Sequence, residues 1–282
     1  MKNGDRTIRD VLYENPGPRT RRIVGIITAI SLILLAIIIY AVIRRFYDTG
    51  QLSGRYWSFF LQGTTWSFIG MGLLGTLEAA LLSAAVAFVM GFAFMRARLS
   101  TSKPLRALGT ALVEFTRGVP TLLFIYFFLL VVPQTGLKLP PLLKIALPVA
   151  ISASGVVAEA FRSGVNAVPK GQSEAGLSLG MSGRHVFYKI VFPQAFRYII
   201  PSLIAELVIV VKDTTFAYVV SFPDLMQNAR VLISNYDAML SVYTVAAVIY
   251  ILINFALNRL SEKAAGNLSG NRRRLINGEK NE

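Results

Sequence analysis

The chain has 282 residues, 54% of them hydrophobic, and a mean hydropathy of +0.55. Only 16% are charged, yet 29 Lys and Arg stand against 15 Asp and Glu, a formal net charge of +14. A soluble domain is about a quarter charged and a nucleic-acid-binding domain is basic and polar, so both classes are excluded and a polytopic membrane protein remains.

In chain order, residues 1–22 form a basic tail (Lys2, Arg6, Arg9, Arg19, Arg21, Arg22). A spanning helix needs about 20 apolar residues. Residues 23–43 meet that length without a charge. They are too long for a signal-peptide core and lack a small-residue cleavage site behind them, so the segment is expected to stay in the mature protein. Residues 44–65 carry Tyr56, Trp57, Phe59 and Phe60 and read as a segment lying at the outer interface. Four further spans follow at 66–95, 107–132, 142–161 and 198–222, and a sixth at 240–258. The fourth, rich in Ala, Ser and Gly, is a weaker one. Residues 259–282 form a second basic tail, read from 263 onward as disordered beside anionic lipid.

Lys and Arg in alternate loops set the orientation. Of the 29 bases, 21 fall in the two tails and in the loops after the second and fourth spans, against 6 on the other side. Both termini are therefore expected in the cytoplasm. Arg44 and Arg45 sit on the wrong side of the first span, where long stems let them snorkel to the outer headgroups.

The loop between the fourth and fifth spans is the most informative stretch. Pro169 suits a first helical position and Gly180 a helix stop, bounding a short helix with small residues at Gly171, Ala175 and Gly176. Ser182 suits the N-cap of a second short helix ending before Pro193. Such a pair serves either as a docking element or as a plain structured loop, and the residue pattern alone leaves both open.

Charges inside spans each need a reason, because one at mid-membrane costs about 2.5–3.5 kcal/mol. Glu114 and Arg117, three apart, share a helix face and can pair. Lys212 and Asp213 are adjacent, point to different faces and need separate partners. Glu159 falls near the end of its span, within reach of water. An amino acid carries an ammonium and a carboxylate, so Glu78, Arg117, Lys212, Asp213, Thr214 and Thr215 are candidates to line a path for it. Pro201 can loosen the fifth span, and Gly118 with Pro120 marks a local break in the third. The same charges can equally be structural pairs between helices. With no Cys and one His, His185, the chain offers neither a thiol nor a His-built metal site, and it has no phosphate-binding G-x-x-x-x-G-K-[ST] loop.

The spacing EAG at 174–176, Gly180, then IVFP at 190–193 resembles the EAA loop of ABC-importer permeases. Gly176 replaces the usual second Ala and Phe192 the usual Leu. The segments VEFTRGVP at 113–120, AEAFR at 158–162, AVPKGQ at 167–172, PQA at 193–195 and KDTT at 212–215 resemble the polar amino acid uptake permeases. Within that group the chain is most similar to actinobacterial glutamate permeases. The resemblance spans about residues 66–258. It implies an all-α polytopic membrane protein with the type I ABC-importer permease fold, a five-span core plus one extra N-terminal transmembrane helix at 23–43. The core would run over 66–258 with its cytoplasmic EAA loop at 162–197.

The resemblance further implies a non-catalytic translocation subunit in the bacterial plasma membrane, importing a polar amino acid, glutamate by best match. No cofactor belongs to the chain; ATP and Mg would be held by two ATP-binding subunits docked on Glu174, Ala175, Gly176 and Gly180. The other implied partners are a second permease, homologous rather than identical, an extracellular substrate-binding protein and the lipid bilayer, with no nucleic acid. The rival reading is a secondary transporter driven by an ion gradient. That class is marked by internal repeats, and none is evident.

Overall fold

The computed structural model describes residues 17–278, with backbone alone for residue 264 and residues 267–278. The expected tail bases Lys2, Arg6, Arg9 and Lys280 lie outside the described residues, as do the side chains of Arg272, Arg273 and Arg274. The chain divides into two units, Met1–Tyr56 and Trp57–Glu282.

The first unit is built on α1 (Pro18–Asp48). Pro18 opens it at a position where a missing N–H costs nothing. Thr49 closes it, its hydroxyl donating to the Arg45 carbonyl at 2.9 Å. No residue of α1 is buried, and its apolar residues run all the way round the helix, the composition of a membrane span. The helix runs five residues beyond the expected span. Arg44 and Arg45 therefore sit inside it, and Arg44 lies 3.9 Å from Asp48 one turn on.

The second unit begins with a short 3₁₀ turn (Ser58–Leu61) and α2 (Gly63–Arg98). Of the aromatics expected at the membrane interface, Phe59 is buried, while Tyr56, Trp57 and Phe60 are half-buried. Phe59 stacks on Tyr236 at 4.3 Å. Thr65 donates to the Phe59 carbonyl at 2.8 Å and the Trp66 indole to that of Phe60 at 2.7 Å.

After α2 come α3 (Lys103–Gly118) and α4 (Thr121–Tyr126), the latter prolonged by a π-turn (Phe127–Val131) and a 3₁₀ turn (Val132–Thr135). The expected third span is thus two pieces, bent by 96° at Val119–Pro120. Pro120 donates no N–H, and it disfavours α geometry at Val119, which is extended. The rest is α5 (Pro141–Ala167), α6 (Lys170–Ser178), α7 (Gly183–Val186), α8 (Phe192–Asp213), α9 (Leu225–Tyr236) and α10 (Met239–Gly278). The α10 backbone continues through residue 263 to Gly278.

Among the described residues, four helices are long and apolar enough to cross a membrane, namely α1, α2, α5 and α10 to Lys263, or five if the bent pair counts as one span. The expected span at 198–222 falls on α8 and the 3₁₀ turn after it (Thr214–Val220). α8 carries Arg197, Glu206, Lys212 and Asp213 and packs between α5 and α10, which buries Glu206 and half-buries Asp213 while Arg197 and Lys212 stay exposed. Pro201 lies inside α8 without ending it, and its carbonyl accepts the Ser261 hydroxyl at 2.9 Å.

α5, the least apolar of those four helices, is the central one. Within its apolar window 56% is buried, against 28% in α2 and 17% in α10. Its small residues explain both facts. Ala146, Ala150, Ala153, Ser154 and Gly155 let neighbouring backbones approach, which is how helices associate where no hydrophobic drive exists between them.

α9 is held on α2 by polar contacts. Asp224 caps α9 by accepting the Gln227 N–H at 2.8 Å. Thr76 accepts the Leu225 N–H at 3.0 Å, and the Asn228 amide donates to the Phe68 carbonyl at 2.7 Å. Gly75 makes this approach possible, since any Cβ there would strike the Pro223 carbonyl. We expect Gly75→Leu to destabilise the protein by about 1–3 kcal/mol, the usual cost of overpacking. A thermal melt of the purified chain checks this, and an unshifted midpoint would show that α9 is not fixed there.

Candidate coupling loop and translocation path

The loop after α5 is an ordered helical hairpin. α6 starts one residue later than the sequence suggests, with Pro169 as its N-cap. It ends at Gly180, whose φ of +76° lies in the left-handed region open to glycine. The Gly180 N–H donates to the Leu177 carbonyl at 2.9 Å and the Met181 N–H to that of Gly176 at 3.2 Å, the paired bonds of a Schellman stop. Ser182 caps α7, accepting the His185 N–H at 3.4 Å and bonding His185 Nδ1 at 2.8 Å. The second helix does not end before Pro193. It passes through a π-turn (Phe187–Val191) straight into α8, because Pro193 occupies the first turn of α8, where no N–H is needed.

Glu174, Ala175 and Gly180 are exposed on this hairpin. Gly176 is the one buried residue of α6, facing Ile190 and Val186, so its smallness serves the hairpin's own packing. Gln194 of α8 donates to Gln172 at 3.2 Å and ties α6 down. Sequence reasoning overlooked Leu177 and Leu179, which are 53% and 82% exposed. Their signal was present: one leucine on a nine-residue helix and a second just past its end, with almost no core of their own to face.

The path candidates fall into separate places. Asp213, at the end of α8, accepts the Thr121 hydroxyl at 2.8 Å, and Thr121 Oγ1 lies 2.8 Å from Ser152 Oγ on α5. The three residues join the break in the third span to the point where α8 gives way to the 3₁₀ turn. Thr121 and Ser152 were not singled out from the sequence, although Thr121 directly follows the Val119–Pro120 break. Lys212 is exposed, as expected of a neighbour pointing elsewhere. Thr214 is fully buried and donates to the Val211 carbonyl at 2.8 Å, while Thr215 donates to that of Lys212 at 2.6 Å. Both hydroxyls are thus committed to backbone. Glu78 is exposed on α2, in line with Met71, Leu74 and Leu81. Glu206, seven residues before Asp213, is buried beside an otherwise apolar cavity of about 230 Å³ between α2, α5 and α8.

Arg117 belongs to a different group. The expected Glu114–Arg117 pair is not found among the described residues. Glu114 lies 3.6 Å from Arg98 at the end of α2, and Arg117 lies 3.7 Å from Glu159 on α5. α3, bent by 96° from α4, packs against the end of α2 and the second half of α5, so each charge meets a neighbouring helix rather than its own. Glu159 is the hub. It pairs with Arg98, Arg117 and Arg162, its side chain 23% exposed instead of standing in open water. Gly155 lets α3 in, against Thr116, Arg117 and Val113. Among the described residues no cluster could hold a metal ion.

Residues 85–263 match the family model described as "Binding-protein-dependent transport system inner membrane component". The glutamate transport system permease protein GluD of Corynebacterium glutamicum is 33% identical over 229 residues, 80% of this chain and 84% of its own length. The probable glutamine ABC transporter permease protein GlnM of Bacillus subtilis is 35% identical over 187 residues, covering 66% and 87%. Among solved structures, an amino acid ABC transporter crystallised with histidines aligns with TM-score 0.65 at 28% identity, covering 70% of this chain and 92% of that one. The inward-facing MetNI methionine ABC transporter aligns at TM-score 0.59 with 18% identity, a likeness of fold alone.

Proposed function

Because the chain belongs to the family of binding-protein-dependent transport inner membrane components and is a multi-pass amino-acid ABC importer permease, we propose that its substrate is glutamate. The observation that carries this is the match to a glutamate permease over four fifths of the chain. An ion-gradient-driven carrier finds no support among the relatives. The family works with ATPase subunits and a substrate-binding protein, and the pairing here is with a second, homologous permease. Both termini lie in the cytoplasm, on the side of the basic loops.

Coupling runs through the hairpin after α5. The ATPase sits on Glu174, Ala175 and Gly180 together with exposed Leu177 and Leu179, while Gly176 keeps α6 seated on the loop. Motion of α6 passes to α8 through the rigid run from Ser182 to Pro193. At the far end of α8 lies Asp213, held by Thr121. In this reading the path for the amino acid passes Glu78, Lys212 and Asp213. Lys212 offers an ammonium to a substrate carboxylate, and Thr214 and Thr215 fix the helix end that presents it. Arg117 stands at the coupling end of the path, held by Glu159.

The test is ATP-driven uptake of labelled glutamate by the complete transporter in vesicles, with glutamine, arginine and histidine as competitors. Glutamate should compete best. Lys212→Ala should lower uptake about tenfold, the loss of one charge-assisted contact of roughly 1.4 kcal/mol, while the subunits still co-purify. Unchanged uptake would remove Lys212 from the path. Uptake on a sodium or proton gradient without ATP would overturn the mechanism.

A further inference from the structure

α2 ends in two arginines with opposite surroundings. Arg98 is neutralised by Glu159 and Glu114. Arg96, two residues earlier, meets no carboxylate among the described residues. Its guanidinium lies 4.3 Å from the Phe187 ring centroid and 5.4 Å from that of Tyr188. Such stacking holds the group in place and leaves its N–H edges available to an acceptor.

Arg96 faces a cavity of about 650 Å³ whose other walls include Phe92, Leu99, Ser100, Thr101 and Leu105. No acidic residue lines it. Its polar rim is shaped by Arg106, whose guanidinium donates to the Ser100 carbonyl at 3.0 Å and the Thr101 carbonyl at 3.5 Å. Ser100 Oγ accepts the Ser102 N–H at 3.1 Å, which leaves the hydroxyl proton for another acceptor. The cavity thus has a cationic, hydroxyl-bearing rim beside an apolar wall. It lies at the end of a 36-residue membrane-spanning helix, where that helix meets the amphipathic α3. A helix of that length outreaches about 30 Å of hydrocarbon, so its end stands clear of the acyl region, on the headgroup side.

We infer that this cavity is a binding site for one anionic phospholipid, the phosphate on Arg96 and Ser100 and the acyl chains along Phe92, Leu99 and Leu105. Basic pockets between membrane helices recognise such headgroups by the same combination. The site is separate from the translocation path and stands whatever the transported amino acid is. Because Tyr188 belongs to the coupling hairpin, a lipid here would brace that hairpin against the end of α2.

Native mass spectrometry of the purified full-length chain, equilibrated with equal phosphatidylglycerol and phosphatidylcholine, tests this. Wild type should retain phosphatidylglycerol about fivefold in preference, the factor one Lys or Arg confers beside an anionic lipid. Arg96→Gln should abolish the preference and Arg96→Lys, which keeps the charge, should retain it. Arg184→Gln, an exposed charge outside the cavity, should leave it unchanged. Equal retention of the two lipids by wild type would overturn the proposal. So would loss in Arg184→Gln, loss in Arg96→Lys, or displacement of the lipid by inorganic phosphate.

Discussion

Gly180→Asp is expected to leave the protein in the membrane at wild-type level while cutting recovery of the co-expressed ATPase about tenfold or more. The backbone at Gly180 has φ +76°, where a residue with a Cβ is strained by roughly 1–2 kcal/mol. Nothing lies within 4 Å of a Cβ built there, so the substitution leaves packing intact. Its effects are therefore limited to the α6 stop and to a carboxylate placed on the exposed face beside Glu174. A docking loss of about 1.4 kcal/mol is tenfold in recovery. Gly180→Asn separates the two effects, since Asn tolerates the left-handed region and adds no charge. It should keep most of the ATPase. Full recovery with Gly180→Asp would show that the ATPase sits elsewhere. Equal loss with Asn and Asp would assign the effect to the helix stop rather than to charge on the face.

What the sequence disclosed follows from how each signal is written. Hydropathy is a property of a window, so α1, α2 and α10 are legible as apolar runs. Gly180 and Ser182 are legible because a left-handed stop and an N-cap each demand particular residue types at one position. α5 read as a weaker span for a physical reason: a helix enclosed by other helices needs small residues more than greasy ones, and hydropathy scores the opposite. The charges were harder. Glu114 and Arg117 were paired by spacing along one helix, because spacing is all that one helix offers. The bend at Val119–Pro120 was visible, but not that α3 would pack against α2 and α5 and so exchange both partners. Thr121 and Ser152 are 31 residues apart in sequence and meet through a single hydroxyl contact. No periodicity records such a contact. Gly176 matched a docking motif and turned out to serve the hairpin's interior, because a motif names positions without saying which side of the helix they face.

The ion cluster at the coupling end supplies the second large effect. Glu159→Gln is expected to lower the melting midpoint of the purified protein and to reduce ATP-driven uptake more than it reduces assembly. Arg98, Arg117 and Arg162 converge on the Glu159 carboxylate from α2, α3 and α5 itself, and Glu114 reaches Arg98 alone. Removing the central charge leaves three guanidiniums close together with one peripheral acid. A hydrogen bond to a charged group contributes about 1.5–3 kcal/mol. The arginines are between 21% and 44% exposed, so solvent screens part of this. A net loss near 2 kcal/mol is the expected result. Glu159→Asp keeps the charge on a shorter stem and should lose less. The functional effect follows from position, since Glu159 and Arg162 sit on the last three turns of α5, directly before the hairpin. If α5 is no longer fixed to α2 and α3, force from the hairpin is absorbed by its end instead of moving the helices around it. Wild type should also melt earlier as salt is raised, with Glu159→Gln showing a weaker dependence. A variant with unchanged midpoint, salt response and uptake would show that the three helices are held by their small-residue contacts alone.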